Sequence, residues 1–159
     1  MVSPGVTGRP TWAVDEWSRG GSNPRPPDGF SGNFWEPPPL FGWRLTPGAI
    51  GWAKRCFGDH VEWQAYTRVN SLGRCDREIP YARTGAYRIL VLGDSFPEGM
   101  QVDVKETFCK RLEGGLAGAG GRPAEVINGG TSGYGTDNEL LFYRHEGRKF
   151  PLPQPPWRS

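Results

Sequence analysis

Histidine and cysteine, the residues that build most zinc and redox sites, are scarce in this sequence. The 159 residues include two histidines and three cysteines, and the cysteines lack the C-x-x-C spacing of a zinc or redox motif. A metal site would have to be assembled from residues that are far apart in the chain: Cys56, His60, Cys75, Cys109 and His145. We therefore expect no metal site and no cofactor.

Long apolar runs and clusters of one charge sign are also missing. No run approaches the roughly 20 apolar residues of a transmembrane helix, and the opening stretch MVSPGVTGRPTWAVDEW lacks the apolar segment of a signal peptide. The 19 basic residues are scattered among 17 acidic ones, for a net charge of +2. Since nucleic acids and anionic membranes select basic stripes, we expect neither as a partner. The sequence predicts no membrane span and no export signal, and it leaves the localisation open.

Glycine and proline, by contrast, are abundant and divide the chain into four zones. The 24 glycines and 16 prolines argue against one fully compact domain. Residues 1–39 are predicted to be a Pro/Gly-rich arm with little regular structure, and residues 40–84 a small β-rich extension. Residues 85–150 change to a β-α-β-α pattern. The tail, residues 151–159, contains four prolines and can continue neither a helix nor a central strand.

The β-rich extension contains one clear period-two pattern. In VEWQAYTRVN, residues 61–70, alternate positions are suited to burial, which is typical of a strand with one buried face. The side chains predicted to point inward are those of Val61, Trp63, Ala65, Thr67 and Val69. LFGWRLTPG, residues 40–48, is the candidate hairpin partner. Asp76 and Glu78 are expected to lie in a solvated turn.

The β-α-β-α zone, residues 85–150, begins with YRILVL, residues 87–92. This run has no polar alternation, which favours a strand covered on both faces in a parallel sheet. A helix is predicted over VKETFCKRLEGGL, with Asp103 and Glu106 as a capping pair, and the short strand AEVIN follows it. Asp137 is the expected N-cap of a second helix, NELLFYRHE. A strand-helix-strand unit implies a right-handed crossover and a parallel pair.

Two polar loops follow these strands and should leave the sheet at the same edge, where open α/β proteins bind ligands. The first loop holds Gly93, Asp94 and Ser95, and the second follows Asn128 and contains Gly133. Gly93 allows the chain to turn, and Asp94 can accept hydrogen bonds from neighbouring backbone N–H groups. Backbone donors in the two loops are expected to converge on one point, where each stabilises an oxyanion by about 3–4 kcal/mol.

The segment RILVLGDSFPEG, followed by EVINGGTSGYGTDNELLFY, resembles the SGNH/GDSL hydrolases, serine esterases and lipases with a three-layer α/β/α fold. The resemblance implies that Ser95 is the nucleophile and that its backbone N–H is one oxyanion donor. The glycine of the second block maps onto Gly133 in preference to Gly130, and Asn128 would help to shape the site together with Gly93. LFGWRLTPG and RVNSLGRCDREIP are similar to the β-rich extension of bacterial members. The substrate implied is an O-acyl carbohydrate or a lipid-like ester.

Two blocks of that family have no counterpart in this sequence. The Gly-x-Asn-Asp block, which supplies a third oxyanion donor, and the Asp-x-x-His block, which supplies the general base, are both missing. A flavodoxin-like parallel sheet in the order 2-1-3-4-5 needs about 150 residues at about 30 per strand-helix unit. We therefore expect an incomplete SGNH hydrolase whose tail comes from a frameshift or a misassigned reading frame. A deliberately shortened protein is the alternative.

Other functions remain open at this point. The chain could be a non-catalytic protein that binds acyl or glycan ligands, or a nonfunctional gene fragment, and Ser95 could be an ordinary turn serine. Nucleotide binding fits poorly, because Met100 stands where a P-loop has lysine and Asn138 where a dinucleotide fingerprint has its third glycine. The strand ILVL would leave an apolar sheet edge exposed, which predicts self-association.

Overall fold

In the part of the chain that the structure describes, each strand pairs with the preceding or the following strand. The computed structural model describes residues 34–37, 40–57, 59–118 and 123–153, and within them three two-stranded sheets. The strands are β1 (Trp35–Glu36), β2 (Arg44–Leu45), β3 (Ile50–Phe57), β4 (His60–Arg68), β5 (Tyr87–Gly93) and β6 (Ala124–Gly130). The α-helices are α1 (Ser95–Glu98), α2 (Phe108–Gly118) and α3 (Thr136–His145), with 3-10 turns at Val104–Glu106 and Gly147–Lys149.

The predicted hairpin partner of β4 was wrong. β4 pairs antiparallel with β3, and Phe57 lies opposite His60, so only two residues connect the strands. Such a short connection favours pairing of adjacent strands. The segment 40–48 contributes β2 instead, which pairs with β1. The sequence pattern did not predict β3, because IGWAKRCF places Lys54 and Arg55 side by side and so interrupts the period-two alternation.

The inward face predicted for β4 is confirmed toward the end of the strand. Ala65, Thr67 and Val69 are buried, whereas Val61 remains 44% exposed. Ala53 of β3 and Val69 belong to a core cluster that also contains Phe34, Leu45, Cys75 and Met100. This core lies where the β-rich part meets the segment that follows α1.

The parallel pair predicted from the strand-helix-strand pattern is confirmed. β5 and β6 run parallel, with Leu92 opposite Gly129 and Gly93 opposite Gly130, so the loops after both strands leave the same edge. Helix α2 lies against β6 and α3 contacts β5. This part of the chain is therefore mixed α/β, with a parallel sheet next to helices. No helix in the described ranges combines the length and apolarity needed to cross a bilayer.

Both predicted helix starts were wrong by a few residues. A 3-10 turn occupies Val104–Glu106, and α2 begins only at Phe108; the side chain of Asp103 caps nothing there. The backbone N–H of Lys110 instead donates to the Thr107 hydroxyl at 3.4 Å, as in an N-cap interaction.

The α3 start also differs from the prediction. The residue before α3 is Gly135, whose N–H donates to the side-chain oxygen of Asn138 at 3.2 Å. Asp137 lies within the first turn of α3, where its negative charge still favours the positive end of the helix dipole.

Asp76 is not in a solvated turn, and that prediction is corrected. Its side chain is 1% exposed and lies 2.9 Å from the Nζ of Lys110, which is itself 10% exposed. The second carboxylate oxygen accepts the backbone N–H of Asn128 at 2.9 Å. Asp76 therefore connects the segment after β4 to both α2 and β6. Glu78 is half-buried and accepts hydrogen bonds from the backbone and hydroxyl of Ser71.

Lys110→Met should lower the free energy of unfolding by about 3–5 kcal/mol, because it leaves the buried Asp76 carboxylate without its cation. Arg111→Met is the matched control: its ion pair with Glu106 lies at the surface, so the loss should stay below about 1 kcal/mol. Urea unfolding of the two variants measures the difference. Equal losses would contradict a special dependence of Asp76 on Lys110.

Candidate functional site

Ser95 lies directly after the turn that ends β5 and is the first residue of α1. Asp94 is the N-cap, and its carboxylate accepts the N–H of Phe96 at 3.0 Å, as the sequence predicted. Gly93 has φ +152°, and a Cβ there would lie 2.6 Å from the Pro97 ring. The turn that presents Ser95 therefore requires glycine at position 93.

The second loop packs closely beneath this turn. The N–H of Thr131 donates to the Gly93 carbonyl at 3.1 Å. A Cβ added at Gly130 would lie only 2.4 Å from the backbone nitrogen of Glu98. Since any side chain at position 130 would push the two loops apart, Gly130 sets the distance between them.

Gly133 lies farther along the second loop and faces Trp43. Its φ is +80°, and a Cβ there would lie 3.1 Å from the Trp43 ring. The indole N–H of Trp43 donates to the carbonyl of Ser132 at 2.7 Å, which holds this part of the loop. Gly133 is exposed, and its N–H donates to no acceptor among the described residues. The amide is therefore available to a ligand.

The side chain of Asn128 connects the Ser95 turn and the second loop through hydrogen bonds. Its Nδ2 donates to the carbonyl of Pro97 at 2.6 Å and to the carbonyl of Cys75 at 3.2 Å, and its Oδ1 accepts the N–H of Gly130 at 2.9 Å. One amide thus fixes the Ser95 turn, the second loop and the segment after β4. The site-shaping role of Asn128 stays a prediction.

Glu98, the last residue of α1, is a feature that sequence reasoning missed. It is completely buried, its Oε2 is hydrogen-bonded to the Ser132 hydroxyl, and its Oε1 has no partner in the described part of the chain. Burial raises the pKa of the Glu98 carboxyl. A glutamate that follows proline in a polar turn is usually a surface residue, so the sequence carried no signal of this burial.

Neither histidine forms a hydrogen bond with Ser95 in the described part of the chain. His60 is exposed at the start of β4, and His145 is exposed at the end of α3, with its ring 6.3 Å from that of Phe41. From Thr136 to His145 the helix rises about 13 Å, away from the loop edge. The described ranges also hold no cluster of three metal-ligating side chains.

The proposed function depends on the positions of the site residues alone. No family model matches the chain, and no curated protein matches it. The site consists of the Ser95 hydroxyl, which has no hydrogen-bond partner among the described residues, the available Gly133 amide and the buried carboxyl of Glu98. Such a set can offer a nucleophile and backbone donors but contains no residue positioned as a base.

Glu98→Gln should stabilise the protein relative to the wild type by about 1–3 kcal/mol at a pH above the raised folded-state pKa, because it removes a buried negative charge. A raised pKa in the folded state means that the contribution of Glu98 is fully present at low pH and is lost as the pH rises through that pKa. The advantage of the variant over the wild type should therefore grow with pH. Urea unfolding across the pH range measures it. Glu106→Gln, at an exposed carboxyl, is the control, and an advantage that is independent of pH would contradict the assignment.

Gly130→Ala should lower the free energy of unfolding by about 2 kcal/mol or more, because its Cβ would meet rigid backbone. Gly114→Ala is the control, since position 114 lies on α2 with no atom within 4 Å of an added Cβ. There the same change should stabilise the chain by about 0.5–1 kcal/mol. Thermal unfolding of both variants gives the comparison, and a tolerated Gly130→Ala would show that the two loops can separate.

Proposed function

We propose that Ser95 is the nucleophile of an ester hydrolase of the SGNH type, acting on an O-acyl carbohydrate or a lipid-like ester. The observation that carries the proposal is the Ser95 hydroxyl, held at the carboxyl edge of a parallel strand pair with no intramolecular hydrogen bond among the described residues. Ligands bind at this edge in open α/β proteins. The rigid Asp94 cap and the close approach of Gly130 support a fixed direction of attack.

The chemistry follows from the two loops. The Ser95 hydroxyl attacks the ester carbonyl carbon, the alcohol leaves, and water then hydrolyses the acyl-serine to release the acid. The N–H groups of Ser95 and Gly133 stabilise the negative charge on the carbonyl oxygen in the tetrahedral intermediate. In this proposal β5 and β6 are neighbouring strands of a flavodoxin-like sheet with helices on both faces.

The general base is the component that the described residues do not supply. A base has to lie within about 3 Å of the serine hydroxyl or act through one water, and neither His60 nor His145 makes such a contact. The hydrolase proposal therefore needs a base that neither histidine of this sequence supplies. The same observation favours a second candidate, a non-catalytic protein that holds an acyl or glycan ligand at this cleft.

With p-nitrophenyl acetate as substrate, we expect the purified chain to match its Ser95→Ala variant, because the serine lacks a base. Imidazole in the buffer can substitute for that base and should accelerate acetylation of Ser95 by up to about 100-fold. The Ser95→Ala rate is subtracted at each imidazole concentration, since imidazole cleaves the ester unaided. Mass spectrometry of the peptide that carries Ser95 locates the acetyl group.

Two results would change the assignment. If the wild type is faster than Ser95→Ala without imidazole, and His60→Ala removes the difference, then His60 is the base. If Ser95 acquires no acetyl group under either condition while circular dichroism shows an intact fold, the serine is not a nucleophile and the non-catalytic candidate is preferred.

A further inference from the structure

A second candidate site lies away from Ser95, between the β-rich part and α3. It is a cavity of about 210 Å³ whose polar wall includes Arg44, Arg74, Tyr81 and Glu146. Aromatic and aliphatic side chains, among them that of Phe41, form the rest of the wall. A volume of this size equals that of about seven liquid waters, enough for a small organic molecule.

Arg74 is the unusual residue of this wall. It is 5% exposed, and its guanidinium carbon lies 4.0 Å from the centre of the Phe142 ring. The one hydrogen bond of its guanidinium among the described residues runs from Nη1 to the carbonyl of Gly73 at 2.8 Å. No ion pair in the described ranges includes Arg74. A guanidinium has five N–H donors, so most of its hydrogen-bonding capacity is unused.

The charge of Arg74 is also only partly compensated, because the carboxylate of Glu146 raises its pKa but forms no ion pair with it among the described residues. Burial lowers the pKa of Arg74 to about 10, which still leaves the guanidinium charged at neutral pH. The other charged groups of the wall already have partners: Arg44 pairs with Glu36 at 2.6 Å, and Glu146 accepts hydrogen bonds from Lys149 at 2.8 Å and Tyr81 at 2.7 Å. Since a buried, unpaired cation is costly, the cavity favours one negative charge beside Arg74.

We infer that this cavity binds a small monocarboxylate, whose two oxygens accept N–H groups of Arg74 in a bidentate pair. A carboxylate supplies the single charge and the planar pair of acceptors that match a guanidinium. The apolar wall around Phe41 suits a short hydrocarbon body, which a phosphate ion lacks. This inference does not depend on Ser95 being a nucleophile.

Butyrate is the probe, and calorimetric titration at constant ionic strength is the measurement. Butyrate should bind the wild-type chain, and its neutral isostere butyramide should show no measurable binding. Arg74→Met, which keeps an apolar contact with Phe142, should weaken butyrate binding about tenfold or more. Arg111→Met removes the same charge at the surface and should leave the affinity unchanged, as should Ser95→Ala.

A second measurement protects the test against misfolding of Arg74→Met. In the wild-type chain, butyrate should shift the assigned Nε–H resonance of Arg74 in an NMR titration, and butyramide should not. The inference is overturned if butyrate does not bind, if Arg74→Met binds it equally well, or if the Arg74 resonance does not move. Tighter binding of inorganic phosphate than of butyrate, or equal binding of butyramide, would also overturn it.

Discussion

The carboxylate of Asp76 is the contact on which the site geometry depends. It lies 2.9 Å from the Lys110 ammonium and accepts the backbone N–H of Asn128 at 2.9 Å, across 52 residues of sequence. Asn128 in turn hydrogen-bonds to Pro97 in α1 and to Gly130 at the end of β6. The segment after β4 therefore does more than cover the α/β part. Through Asn128 it is linked by hydrogen bonds to the helical turn that carries Ser95.

Local patterns predicted the part of the structure that local forces determine. The apolar run before Gly93, the predicted crossover and the polar loops sufficed to place β5 and β6 side by side, because parallel strands joined by a helix share one edge. The Asp94 cap was predictable for the same reason, since it acts over two residues. The start of α2 could not be predicted in this way, because Asp103 and Thr107 are both residues that favour the N-cap position and the structure uses the Thr107 hydroxyl.

Local sequence patterns could not predict residues whose role depends on neighbours that are far away in sequence. Asp76 and Glu98 look like surface carboxylates in sequence, and each is buried only because elements far along the chain close over it. For Asp76, Lys110 compensates part of the cost of burial, and the pKa of the carboxyl remains raised because burial outweighs the ion pair. For Glu98 the compensation comes from Ser132, and it is smaller than the effect of burial, which leaves the pKa of the carboxyl raised. The family resemblance from which Ser95 is predicted as a nucleophile contains no information about the buried carboxyl of Glu98.

Asn128 also has a consequence for the chemical ageing of the chain. Asn128 precedes Gly129, and asparagine before glycine is the dipeptide that deamidates most readily, through attack of the glycine nitrogen on the side-chain amide. In the folded protein this attack is blocked, because Gly129 is held in β6 opposite Leu92 and the amide is bound to Pro97 and Gly130. Unfolded chains lack this protection. A carboxylate formed at position 128 would face the Pro97 carbonyl without a proton to donate, so the hydrogen bond to Pro97 would be lost. The extent of deamidation at this position should therefore increase with the time that a molecule has spent unfolded.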